Sequence, residues 1–581
     1  MADSFKILSA LIVYIFSAYF GFGQTQIGQD IDGENSFDFS GFALDMPDPN
    51  TLAIGAYHNS GTANEAGHVR IYMRVGTTWV QKGLDINGEA ANDWSGKSLS
   101  MPDANTIAIG AEQNIGGGST AGHVRIFYWN GTAWTQKGSD INGLPPNESC
   151  GYSVSMPNAN TVAIGAPQND NSADNAGAVR VYNWLNNGWV QKGGTIYGEA
   201  EADFSGECVV MPDPNTVAIG ASSNDASGNN AGHVRVYHWL NNSWAQLGSD
   251  IDAEGPGDNF GYSISMPNAT TLASGAYGNN GTGIYQGSVR VYQWSGSSWV
   301  QKGNDIDGES NNDDSGISVH MPDEHTVAIG ADANDGNGSN SGHVRVFFWN
   351  GADWVQQGVD IDGEAAFDGS GKDVCMPDRY TVAVGAPANS GGGPYSGHVR
   401  VFRLCFDSIL VQVQDFTAFT GVGWANFKCT HTDSSASYQW QMLSGTTWVN
   451  LTNQSNFSGA LSDSLIITGV TPSLSGKKFR CVIAGRCSVD TTNSGVLTVV
   501  NGIGIEPANP SYIKVFPNPT TGKIRIGGGF QGSITLFDHN GSILYCGDAI
   551  DELNISSWPS GVYTLLLSNA DLNLRHRIIK L

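Results

Sequence analysis

Cysteine and positive charge are both scarce in this chain. Eight cysteines among 581 residues are too few for disulfides to be the main scaffold. Lysine and arginine total 28 against 54 aspartates and glutamates, a net charge of −26. That balance excludes nucleic acid and anionic lipid surfaces as partners, since both need a cationic footprint. It is compatible with extracellular divalent cations. No nucleophile elbow, no HExxH zinc spacing and no phosphate-cradling Gly-Lys-Ser loop occurs, so no enzyme is expected.

Long apolar runs are missing too, apart from Ile7 to Phe20, which follows Lys6 and ends at Gly21 and Gly23. As a helix this run spans about 21 Å, short of a ~30 Å hydrocarbon core. Residues 1–23 therefore read as a cleaved signal peptide, and no transmembrane anchor is expected.

Glycine is abundant, at 76 residues, and only 14% of the chain is charged, a composition suited to short strands and tight turns. A 55-residue unit recurs seven times without insertion or deletion. It is marked by Met46, Met101, Met156, Met211, Met266, Met321 and Met376, and by Arg70, Arg125, Arg180, Arg235, Arg290, Arg345 and Arg400. Such a period describes a unit that must stack on its neighbours to bury its apolar face. In the second copy, Gly96 to Met101, Thr106 to Ala111, Gly122 to Trp129 and Ala133 to Ile141 read as four strands. The last copy stops after its third strand, while Thr25 to Ile31 aligns with the fourth strand of the others. The expected fold class is all-β: a seven-bladed β-propeller over residues 24–404, closed by its N-terminal strand.

Within the repeat, Gly55 and its six equivalents give close backbone approach. Trp79, Trp134, Trp189, Trp244, Trp299 and Trp354 are expected to pack between blades. The arginines are expected to meet carboxylates or carbonyls across blades. His68, His123, His233, His343 and His398 precede the Val-Arg step, where Ala178 and Ser288 stand in the other copies. The stretches Tyr152 to Pro167 and Gly177 to Tyr182 resemble FG-GAP repeats, the units of integrin α-subunit propellers. Phe260-Gly261, Gly165-Ala166-Pro167 and Gly385-Ala386-Pro387 carry the likeness. The family's calcium loop is replaced by turns such as Met46 to Thr51, so its metal residues do not transfer.

The inter-blade link instead spaces oxygen side chains at i, i+2, i+4 and i+8, which lets one turn converge on a hard cation. The sets are Asp30, Asp32, Glu34, Asp38; Asp85, Asn87, Glu89, Asp93; Asp250, Asp252, Glu254, Asp258; Asp305, Asp307, Glu309, Asp313; and Asp360, Asp362, Glu364, Asp368. The spacing decays at Asp140, Asn142, Leu144 and at Thr195, Tyr197, Glu199. Calcium is the expected ion; the same residues also serve as ordinary acidic turns. Tyr57, Tyr277, Tyr285 and Tyr395, on the loops beside the link, are candidates for partner contact.

Downstream, Cys429, Trp440 and Cys481 over residues 405–500 resemble an immunoglobulin-like sandwich, with Phe479 in place of the corner tyrosine. The resemblance implies a Cys429–Cys481 disulfide, and Cys405 with Cys487 could form a second bridge. Residues 501–511 read as a linker. Residues 512–581 resemble the C-terminal sorting domain of type IX secretion, through Val515 to Thr520, Asp538 to Gly541, Ser560 to Tyr563 and Arg577 to Leu581. This implies a small β-sandwich, handling by that secretion machinery, and a secreted or outer-surface location. The leading functional expectation is a non-catalytic binding or adhesion protein whose propeller face contacts extracellular protein or glycan. A polysaccharide-active enzyme or accessory lectin, and a structural surface component, are the alternatives.

Overall fold

The computed structural model describes residues 24–581 except 117–118, 145, 282, 405–408, 420–423, 432–434, 455, 486–488, 501–513, 517, 519, 528–531, 539–541, 549–551, 569–572 and 581. The expected leader (1–23), the linker (501–511), Cys405 and Cys487 lie outside the described residues. Packing divides the chain into two compact units. One contains the repeats and runs to Val411 with two short later segments; the other holds 412–429, 438–482 and 491–581.

Each repeat builds one antiparallel sheet. In the second copy the strands are Ser98–Asp103, Thr106–Ala111, His123–Trp129, Trp134–Gln136 and Ile141–Asn142. The second strand is buried along its whole length in all seven copies. Its unbroken run of β-branched and small residues suits a strand covered on both faces. The first strand pairs with it through a register shift between Ser100 and Asp103, where Pro102, which has no N–H to give a ladder, is tolerated.

The fourth strand expected over Ala133 to Ile141 is broken in two. Trp134–Gln136 pairs with Phe127–Trp129, and Ile141–Asn142 pairs with His123–Val124. Gly138 sits in the break at φ 84°, in the left-handed region that favours glycine. A Cβ there would lie 2.6 Å from the Trp184 ring. The expected seven-bladed β-propeller closed by its N-terminal strand is therefore corrected: the repeats do not form blades of four continuous strands. The chain is all-β, with seven repeated antiparallel sheets that each count five strands.

The first strands of successive sheets touch in chain order, and that of the first sheet touches that of the seventh. Gln24–Gln26 and Ile31–Asp32 pair with His398–Leu404 in the seventh sheet. The tryptophans join neighbouring repeats, as expected. Trp134 Nε1–H donates to the Lys82 carbonyl at 2.8 Å, and five other copies repeat the bond, from Trp79 to Ile27 through Trp354 to Lys302.

In the second unit, Trp440, Phe427 and Phe479 are fully buried and in ring contact, in a core flanked by a six-stranded and a three-stranded sheet. Cys429 and Cys481 are buried there as unbonded thiols. The neighbouring Cys429, then burial, holds the Cys481 proton. The pair implied by the immunoglobulin resemblance is thus brought together, without the bond. The C-terminal residues form a three-stranded and a four-stranded sheet around Ile524, Ile534, Leu536, Leu565 and Leu567.

Candidate functional site

The acidic links do not work as closed turns. The four oxygens of one link divide among three tasks, and no group of three ligand atoms among the described residues draws more than one from a single link. This corrects the expected convergence of Asp30, Asp32, Glu34 and Asp38 on one ion, and of the four parallel sets.

The i+8 residue turns inward. Asp38 accepts the Asn35 N–H and the Asn59 side-chain amide, both at 2.9 Å. Asp93, Asp258, Asp313 and Asp368 accept link N–H groups in the same way. Glu148 and Asp203, from the links that decay in sequence, do so too, and all seven acids are buried. The i+2 residue lies in the short fifth strand, where its backbone carbonyl is the functional atom. Arg70 Nη2–H donates to the Asp32 carbonyl at 2.7 Å, and Arg125 to that of Asn87 at 2.7 Å. The same bond reaches Asp252, Asp307 and Asp362. Arg235 reaches the Tyr197 carbonyl in the same way, and Arg180 pairs instead with Glu148, so the arginines tie links to sheets, as expected.

The i and i+4 residues meet across successive links. Glu34 and Asp85 come together on either side of His68, which the third strand supplies. Glu89, His123 and Asp140 repeat the group, as do Glu199, His233 and Asp250; Glu309, His343 and Asp360; and Glu364, His398 and Asp30. Asp305 and Glu254 occupy these places in the fifth copy, with Ser288 between them in sequence. In each group the ligand atoms lie within 4.8 Å of one another. Burial first, and the adjoining arginine second, lower His68, His123, His233 and His343 to about 4. Asp140 and Glu199 are members that local spacing passes over.

A second feature was not anticipated. A cavity of about 260 Å³ is lined by the residue that follows the turn glycine in each copy: Phe42, Lys97, Tyr152, Glu207, Tyr262, Ile317 and Lys372. In a repeat otherwise fixed in register, this position changes chemistry at every step. The Lys97 ammonium stands 4.6 Å from the centre of the Tyr152 ring and pairs with Glu112. Lys372 pairs with Asp332 at 3.2 Å, and Ser222 bonds Glu207. Tyr262 meets Tyr277 edge-on at 4.8 Å, and Tyr57 meets Phe42 at 4.6 Å. Tyr57 and Tyr277 thus touch residues that line this cavity. Tyr395 stacks on Phe37 at 5.7 Å, and both rings are exposed, as is Tyr285.

Burial raises acid groups near the cavity above the usual carboxylate range. Burial, then Asp332, raises Asp314 to about 6. Burial raises Asp373 to about 7, although it accepts the N–H groups of Leu44 and Val374. Between about pH 4 and pH 7 the folded chain keeps a proton on Asp373 that the unfolded chain has lost. This contribution to stability therefore falls as pH rises through that window. Relative to wild type, Asp373→Asn should gain a few degrees of melting temperature between pH 5 and pH 8. A pH-independent difference between the two proteins would contradict the assignment.

Comparison with known proteins bears on the C-terminal end. The family profile described as "Secretion system C-terminal sorting domain" matches residues 514–581. The tail is a type IX sorting domain. The protein is therefore secreted or held at the outer cell surface. Among the described residues, no helix is long and apolar enough to cross a membrane. No curated protein matches the chain.

Solved structures similar to part of the chain include immunoglobulin domains. The N-terminal Ig1-2 module of Drosophila receptor protein tyrosine phosphatase DLAR is 16% identical, with 30% of this chain and 99% of that one covered, at a TM-score of 0.19. Chimeric titin Z1Z2 functionalized with a KLER exogenous peptide from decorin is 18% identical, covering 16% and 94%, at 0.14. Domain I81 of titin is 16% identical, covering 16% and 96%, at 0.13. Likeness at this level assigns no activity. None of these three is an FG-GAP protein or a propeller.

Proposed function

We propose that the exported chain is a non-catalytic binding or adhesion protein that contacts extracellular protein or glycan around the cavity lined by Lys97, Tyr152 and Tyr262. One observation carries the reading. The cavity-lining position differs in chemistry from copy to copy while the frame around it stays constant. Aromatic faces beside paired charges offer both stacking and directional hydrogen bonds, the combination that specific sites use. The sorting tail puts this surface outside the cell, where such partners are met.

The test is a glycan array and an extracellular-protein binding screen with wild type and a Tyr152→Ala/Tyr262→Ala variant. Loss of at least tenfold in affinity for whatever wild type retains, about 1.4 kcal/mol, supports the proposal, provided both proteins melt alike. Equal retention by both would move the contact surface elsewhere. Turnover of a retained polysaccharide would favour an enzyme instead.

A further inference from the structure

We propose that five of the seven repeats each build a site for a divalent transition-metal ion of zinc type from one histidine and two carboxylates of successive links. The site of the first copy is Glu34, His68 and Asp85, and that of the fourth is Glu199, His233 and Asp250. The inference concerns the links alone and stands apart from the binding role proposed above.

The orientation of each carboxylate is the first argument. Asp85 takes the Gln81 side-chain amide on Oδ1 at 2.7 Å and presents Oδ2 to His68 Nδ1 at 3.9 Å. Glu34 faces Arg70 with Oε1 at 3.8 Å and presents Oε2 to the same nitrogen at 3.9 Å. One oxygen is fixed by a partner outside the group and the other is left for the centre. Outer partners orient metal ligands in this manner. The glutamine-to-aspartate bond recurs at Asp30, Asp140, Asp250 and Asp360.

The histidines supply the second argument. Their nearest carboxylate oxygens, at 3.9 to 4.0 Å, are too far for a hydrogen bond. His233 is fully buried, and neither of its ring nitrogens has a partner. Its Nδ1 aims at Asp250 Oδ2 at 3.9 Å. Tetrahedral bonds of about 2.0 to 2.2 Å put neighbouring ligand atoms about 3.4 Å apart, so closing on an ion needs movement of roughly half an ångström along the 3.9 Å contacts and more where a group spans up to 4.8 Å. A nitrogen with two carboxylates suits zinc and its neighbours. Calcium takes six to eight oxygens, which these groups do not gather.

The repeats themselves provide the third argument. The third copy loses all three members together, to Leu144, Ala178 and Thr195. Its arginine then pairs with Glu148, so the structural duty of the arginine survives without the group. The fifth copy keeps Glu254 beside Arg290 at 3.9 Å and Asp305 on Gln301 at 2.6 Å. It lacks only the histidine, and Ser288 Oγ in that place is buried without a partner.

The experiment is equilibrium dialysis of the chelator-stripped, full-length secreted protein against micromolar Zn²⁺, with a parallel Ca²⁺ arm. About five zinc equivalents are expected for wild type, one fewer for His233→Ala, and one more for Ser288→His. A merely structural histidine would not gain a site when moved to a new repeat. If Ser288→His fails to fold, His233→Ala and Asp250→Asn decide by their loss of one equivalent. Less than one equivalent in wild type, or an unchanged count across folded variants, overturns the proposal. Calcium bound at the same count and lost with His233→Ala overturns the choice of ion.

Discussion

Deleting residues 24–32 is expected to lower the melting temperature of the repeat unit by ~10 °C or more and to make the protein aggregate. These residues supply the outer strands of the seventh sheet, with Gln24 opposite Leu404 and Ile31 opposite Val399. Ile27 and Ile31 are buried in one core with Val399 and Val401, and each contributes about 1.5 to 3 kcal/mol by leaving water. Their loss also strips Trp79 of its acceptor, the Ile27 carbonyl at 2.9 Å, and of Gln29, whose amide bonds the Trp79 carbonyl. His398–Leu404 would be left with bare N–H and C=O groups, a template for pairing with another chain. The check is calorimetry with light scattering. Ile31→Asp serves as a milder probe, since it keeps the chain length and charges the same buried position. A deletion that melts within two degrees of wild type and stays monomeric would remove the segment from the core.

Replacing Glu148 by Gln is the second large effect. Arg180 and Glu148 are both buried and form an ion pair. Glu148 also accepts the Leu144 N–H at 3.0 Å and the Asn169 amide at 3.1 Å. Breaking a buried pair by removing one charge costs about 3 to 5 kcal/mol, because the partner is left uncompensated. Glu89→Gln provides the contrast. Glu89 faces Arg125 at 3.6 Å with its side chain 46% exposed, so water replaces the lost charge and about 1 kcal/mol or less is expected. Urea denaturation of the two variants measures the difference. Equal costs would mean that burial is not what sets the strength of these pairs. The double variant Arg180→Met/Glu148→Leu should recover most of the loss, since apolar residues of similar size remove both charges together.

Parts of this architecture can be read from the chain and parts cannot, for identifiable reasons. Met, Arg, Gly and Trp repeat because every copy meets the same geometric demand. Trp134 reaching the Lys82 carbonyl and Arg70 reaching the Asp32 carbonyl are the bonds that recurrence implies. The break in the outer strand is harder to see. A lone glycine such as Gly138 inside an apolar-polar pattern looks like a tolerated weak point, whereas its φ of 84° and the indole beside it make it a designed interruption. The acidic links mislead for another reason. Local spacing treats Asp85, Asn87, Glu89 and Asp93 as one turn, but Asp85 belongs with Glu34 and Glu89 with Asp140. Only the third strand, by placing a histidine between two links, brings these distant carboxylates together. The cavity had a sequence signal that went unused: Lys97, Tyr152, Glu207 and Tyr262 vary at one fixed place in the unit.

The pairing of Gln24 with Leu404 also sets an order of events. Residues 24–26 must wait for residues 402–404, which are made much later, so each newly made chain passes through a stage with an orphan strand before the repeats and a vacant berth after them. In a crowded periphery a neighbour's berth is as good as its own, and two chains that trade their opening residues form an intertwined dimer. Pairs of this kind would separate only by unfolding the seventh sheet, which makes the history of assembly, as well as the concentration, decide how many chains end up joined.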